Sequence, residues 1–101
     1  MSRVAVVVKL PAAEGKGNEL AAAFEAALDH VRNESGTRYY LVHADAASPD
    51  TLWIYEMYDA QADLDAHMGA DWFKEFSKKL GPLMGGAPEF HMLRPLAGKG
   101  M

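Results

Sequence analysis

His67 and Glu56 are the residues whose types and settings best suit proton transfer. Histidine is the side chain that most readily gains and loses a proton near neutral pH. His67 shares a short helical stretch with Leu64 and Met68, so it is expected to line the space between a helix and a sheet. The competing reading is a capped or surface histidine beside Asp63 and Asp65. Glu56 stands in an apolar run between Tyr55 and Met57, where a carboxylate is costly to bury unless it is hydrogen-bonded or paired. It would orient a histidine or tyrosine, or act as an acid of raised pKa. The alternative is a structural ion pair with Arg38 or Arg94. Tyr40, Trp53, Tyr55, Tyr58 and Trp72 supply an aromatic wall. Packing is the ordinary role of such residues, but Tyr40 and Tyr58 also carry hydroxyl donors. His43 and His91 lie on strands and face either a cavity or an interface. His30, on a helix among charged neighbours, is expected to be solvated.

Much other chemistry is excluded. The chain has no cysteine, which removes disulfides, thiolate nucleophiles and cysteine-ligated metals, and fits a reducing cytoplasm. No HExxH and no close histidine pair is present, so no metal site is expected. Neither a phosphate loop nor a GxGxxG turn appears, and no serine sits in an elbow motif. The net charge of −4 gives a surface that repels phosphate backbones, so nucleic acid is not an expected partner. The apolar start, Val4 to Val8, is only a strand's length and lacks a signal peptide's longer core. No run approaches the roughly 20 apolar residues that span a bilayer. The length of 101 residues, half of them apolar, gives one domain covering 1–101 with one core, and a frayed tail over 97–101.

The elements that must position these residues follow from pattern. Val4 to Leu10 is a strand ending at Pro11, with Val4, Val6, Val8 and Leu10 facing the core. Asn18 is expected to cap a helix to about Arg32, with Leu20, Phe24, Leu28 and Val31 as its stripe. Tyr39–Ala44 and Leu52–Tyr58 are strands of one antiparallel hairpin, joined by the turn residues 46–50. Asp59 is expected to cap a short helix carrying Leu64 and His67, ended by Gly69. Asp71 is expected to cap another with Trp72, Phe73, Phe76 and Leu80. Glu89–Leu96 is the last strand. The order β-α-β-β-α-α-β is a ferredoxin-like α+β arrangement, with helices on one face of an antiparallel sheet.

That arrangement leaves one sheet face uncovered. Whichever side of the third strand points outward is apolar or aromatic: Trp53, Tyr55 and Met57, or Leu52, Ile54 and Tyr58. An apolar patch of this kind marks an interface, so two sheets are expected to pack face to face in a two-fold homodimer.

Several short stretches together resemble the antibiotic biosynthesis monooxygenase family of small dimeric α+β barrels. They are Glu34-Ser35-Gly36-Thr37-Arg38-Tyr39-Tyr40 before the second strand, Ile54-Tyr55-Glu56-Met57-Tyr58 in the third, Asp63-Leu64-Asp65-Ala66-His67, and Trp72-Phe73-Lys74. The likeness is nearest to the quinol monooxygenase and quorum-signal isomerase branches, through the hairpin and Leu83-Met84-Gly85-Gly86. By this resemblance His67 matches the family histidine, and Tyr40 and Tyr58 match aromatic positions. The family's second histidine is Trp72 here, and Arg38 and Tyr39 have exchanged character. The residues on which haem degradation relies fall on Val8, His67 and Ser77, none of which fits.

The resemblance implies a cofactor-independent monooxygenase acting on a small quinol-like or phenolic molecule in a helix–sheet cavity. His67 and Glu56 would be catalytic, and Tyr40, Trp53, Tyr58 and Trp72 would bind substrate. Such an enzyme holds an aromatic diol in a dry pocket, removes its proton and stabilises the anion, with no cofactor or metal. A small-molecule isomerase or signal-degrading enzyme would need the same parts. A non-enzymatic ligand-binding or stress protein would use only the cavity. Fold alone does not choose among them.

Overall fold

A computed structural model describes residues 2–100. Strand β1 (Val4–Pro11) leads to helix α1 (Gly17–Val31), then strands β2 (Thr37–Ala44) and β3 (Thr51–Tyr58). Helices α2 (Gln61–Gly69) and α3 (Asp71–Leu80) follow, then a 3-10 turn at Gly81–Leu83 and strand β4 (Glu89–Leu93). The strands pair antiparallel in the order β2-β3-β1-β4, which is the ferredoxin-like topology, and the sheet is open. β4 stops at Leu93 rather than Leu96, since its pairing with β1 ends where Leu93 meets Ala5.

Alternation along the strands divides the sheet cleanly. Val6, Val8 and Leu10 of β1 and Leu52, Ile54 and Tyr58 of β3 point to the helices and form the core. Trp53, Tyr55 and Met57 therefore take the outer face. From α1 the core takes Leu20, Phe24, Ala27 and Val31, not Leu28, which is half-buried. A stripe of 3.6-residue period passes through position 27 as well as 24 and 31, and alanine there lets the helix lie close to the sheet.

The helix starts are built differently from expectation. Lys16, not Asn18, precedes α1, and its first amides are served from a distance. The Asp50 carboxylate accepts from the Gly15 and Gly17 amides at 2.9 and 3.0 Å, tying the β2–β3 turn to the helix. Ala60 and Ala70 precede α2 and α3 without side-chain caps. Asp59 instead pairs with Arg38 at 3.3 Å, and Asp71 lies in the first turn of α3, where the helix dipole favours an anion.

One irregularity sets the facing of β2. Thr37 pairs with Tyr58 and Tyr39 with Met57, so Arg38 is an extra, bulged residue. Without it Tyr39 would stand opposite Glu56. With it Tyr40 does, and points to the helix side, while Tyr39 turns outward. The Tyr39 hydroxyl donates to the Gly100 carbonyl at 2.6 Å. Because Leu93, Ala5, Met57 and Tyr39 are successive partners across the strands, the tail spans the width of the sheet.

Candidate functional site

Four segments meet at one end of the helix–sheet space. The loop after α1 carries Glu34, β2 carries Tyr40, β3 carries Glu56 and Tyr58, and α2 carries His67. Gly36 is what allows the loop and α2 to approach. A Cβ there would lie well inside contact distance of the Asp63 carboxyl and 2.7 Å from its Cβ. The Asp59 amide donates to the Gly36 carbonyl at 2.9 Å and fixes the same junction. His67 lies one helical turn beyond Asp63, so its ring reaches Glu34.

Glu34 gathers three donors. Thr37 donates its hydroxyl to Oε1 at 2.8 Å, and the Trp72 indole donates to Oε2 at 3.2 Å. His67 Nδ1 lies 2.9 Å from Oε1. A carboxylate only accepts, so Nδ1 carries the proton of that bond. In the neutral ring this leaves Nε2 with its lone pair, the tautomer a general base requires. The ring is 2% exposed and is enclosed by Tyr40, Tyr58, Trp72 and Phe73, at centroid distances of 5.6, 5.5, 5.3 and 4.9 Å.

On the Nε2 side stands Glu56, with Oε1 3.9 Å away, too far for a direct hydrogen bond. The Tyr58 hydroxyl donates to Glu56 Oε1 at 2.5 Å. Burial pushes the Glu56 carboxyl above its ordinary value, opposed by the Tyr58 bond and by His67. Burial, with the negative charge of Glu56, pushes the Tyr40 and Tyr58 hydroxyls far up as well, so both stay protonated donors. Tyr58 spends its proton on Glu56; the Tyr40 hydroxyl forms no hydrogen bond with another described residue.

These groups open onto a cavity of about 170 Å³. Roughly 150 Å³ of apolar cavity is enough to hold a benzene ring. Its walls are mostly aliphatic and aromatic, with Val8, Phe24, Ile54 and Phe76 at mid-length. Tyr40, Glu56, His67 and Ser77 are the polar residues among them.

The expected site residues divide accordingly. His67, Glu56 and Tyr40 come together on the cavity. Tyr58 is fully buried behind Glu56 and holds it. Trp72 lies behind His67, donates to Glu34 and does not line the cavity; its ring stacks on His30 at 4.8 Å. His30 is exposed as expected, yet it is held against that ring. Trp53 is corrected outright, because alternation puts it on the opposite sheet face. There its indole donates to Asp45 at 2.8 Å, which holds the Asp45 carboxyl below its ordinary value, and Lys9 lies 5.9 Å over the ring. Among the described residues Glu56 pairs with neither Arg38 nor Arg94: Arg38 pairs with Asp59, and the ionic neighbour of Glu56 is His67. His43 and His91 share the outer face with Trp53. Among the described residues no three histidines or carboxylates converge as metal ligands. Glu34 is the residue missed. Its signal was a carboxylate two residues before a glycine at a strand entrance, but its partner lies 33 positions away.

Residues 3–79 match the family model described as antibiotic biosynthesis monooxygenase. Solved structures agree. A protein from Caulobacter crescentus described as a candidate antibiotic biosynthesis monooxygenase is 27% identical, with a TM-score of 0.87 over 95% of this chain and 92% of that one. A protein from Mycobacterium tuberculosis is 26% identical, with a TM-score of 0.87 over 97% and 99%. A comparison with curated proteins finds no match.

The raised Glu56 carboxyl has a signed consequence. Below the ordinary value of 4.5 the group is protonated whether the chain is folded or not. As pH rises past that value the unfolded chain releases the proton first, so the folded state loses the advantage it held at this group. Urea unfolding from pH 5 to 8 should show the wild-type midpoint falling relative to that of Glu56→Gln. Parallel curves would contradict the assignment.

Proposed function

The chain belongs to the antibiotic biosynthesis monooxygenase family, and on that premise we propose that it is a cofactor-independent monooxygenase of small quinol-like or phenolic molecules. The observation that carries this reading is the Glu34–His67 pair, which leaves Nε2 as an acceptor at the polar end of a one-ring cavity.

A diol hydroxyl gives its proton to His67 Nε2. The Tyr40 hydroxyl donates to the oxyanion that results, in surroundings dry enough to make that bond count. Dioxygen is the oxidant. The electron-rich anion reduces it; one oxygen atom is bonded to a ring carbon and the other leaves as water. The ring thus gains one oxygen, loses two hydrogens and becomes a hydroxyquinone. Glu56, whose carboxyl burial pushes toward the protonated form, supplies the acid for the departing oxygen. The same base and acid, 3.9 Å apart, also support a second reading, an isomerase that removes and returns a proton beside a carbonyl.

The outer face of the sheet favours a two-fold homodimer. Val7, Leu41, Tyr55 and Leu93 share that face, and Leu41 and Leu93 are 47% and 46% exposed. Pairing two such faces buries each contact twice over.

Oxygen consumption with a panel of aromatic diols is the direct test. Turnover should need oxygen, and His67→Gln should lower kcat/KM by about 100-fold or more. Turnover that persists without oxygen selects the isomerase; binding without turnover under either condition leaves a ligand-binding protein. Light scattering should give twice the chain mass, and Leu41→Lys, which sets two like charges into the seam, should give one. A wild-type protein of single mass at micromolar concentration contradicts the dimer.

A further inference from the structure

Three of the four polar residues of the cavity lie at one end. Glu56 and Tyr40 are register partners, Glu56 also pairs with Val6, and His67 reaches the same row from α2. Four residues along β1, roughly 13 Å away, stands Leu10. That end is built from Leu10, Leu80, Met84 and Pro88, and is held by the Ala12–Met84 bridge and the Gly85 amide on the Pro11 carbonyl at 2.9 Å. Ser77 supplies the other hydroxyl in the lining; it lies one turn along α3 from Phe73, which touches His67, and is itself exposed.

This polarity constrains which diol fits. A para-diol has its oxygens at opposite ends of the ring, so seating one at His67 carries the other to mid-cavity, among Val8, Ile54 and Phe76, where the hydroxyl of the exposed Ser77 is the single polar group of the lining. A buried hydroxyl without a partner is penalised. A vicinal diol carries both oxygens at one end. His67 Nε2 and Glu56 Oε1 stand 3.9 Å apart, with the Tyr40 ring 5.6 Å from that of His67, an arrangement that engages two adjacent oxygens at once. The opposite edge of the ring then faces the apolar end, which takes a short hydrocarbon substituent and gains from each methylene it buries.

We propose that the ligand of this cavity is a single-ring vicinal diol bearing an apolar substituent away from its oxygens, held with both oxygens at Glu56, His67 and Tyr40 and the substituent against Leu10, Leu80 and Met84. The proposal rests on the aromatic-diol reading above and narrows it.

Isothermal titration calorimetry under argon, with the full chain, compares catechol, hydroquinone and 4-propylcatechol. Catechol should bind about tenfold more tightly than hydroquinone, equivalent to about 1.4 kcal/mol. The propyl chain should add at least another tenfold. Met84→Gln, at a half-buried wall position, should collapse the ratio between propylcatechol and catechol to about threefold or less, with circular dichroism confirming the fold. Hydroquinone binding as tightly as catechol, or a propyl chain that brings no gain, overturns the proposal. If hydroquinone also supports oxygen uptake, the monooxygenase reading survives that failure. No heat from any of the three with folded protein removes both.

Discussion

The bond between the Glu34 carboxylate and His67 Nδ1 is the interaction on which the rest of the site depends. It selects the tautomer, fixes the ring plane and turns Nε2 toward the cavity. The partners come from segments far apart in sequence: a loop leaving α1 and a short helix after β3. Gly36 makes the meeting possible by admitting the Asp63 side chain where any Cβ would stand. Thr37 and Trp72 also donate to Glu34, so the carboxylate is held by three donors.

This cluster is expensive for so small a core. Glu56 and His67 are both buried, at 6% and 2% exposure, where aliphatic side chains would add hydrophobic stability. Mutual satisfaction offsets the cost. Glu34 holds His67 Nδ1, Thr37 and Trp72 donate to Glu34, and Tyr58 donates to Glu56, which leaves His67 Nε2 open to the cavity. A network of that kind is rigid when complete and fails when one member is removed, because each deletion strands the others. The short, aromatic-lined end of the cavity is therefore both the least favourable part of the core and the most precisely ordered. The long aliphatic end carries the ordinary burden of stability, through Val8, Leu10, Leu52 and Leu80.

Much of this was legible in the sequence, for identifiable reasons. Element order followed from period and punctuation, and the facing of β1 from its alternating valines. His67 was marked by its setting between Leu64 and Met68, and Glu56 by its apolar flanks. What escaped was long-range or irregular. Trp53 and Tyr55 could not be separated from Leu52 and Ile54 by composition, because both faces of β3 are apolar. Position 27 of α1 looked bland as an alanine, although close approach to the sheet requires one. The three expected caps, Asn18, Asp59 and Asp71, had the right residue types, but tertiary partners such as Asp50 and Arg38 took over the groups involved. The bulge at Arg38 decides that Tyr40 rather than Tyr39 meets Glu56, and nothing local announces it. Glu34 lay in plain view within the Glu-x-Gly stretch, with its role set by a residue 33 positions on.

The central claim concerns one proton. Nitrogen-15 spectra of the histidine rings, with His67 assigned by its loss in His67→Gln, report which ring nitrogen carries it in the neutral state. The account predicts a protonated Nδ1 held by Glu34 and a bare Nε2, with Glu34→Gln shifting the ring toward a mixture of tautomers. A His67 protonated at Nε2 in the wild-type protein would contradict it, because the cavity would then face a donor where the chemistry needs a base.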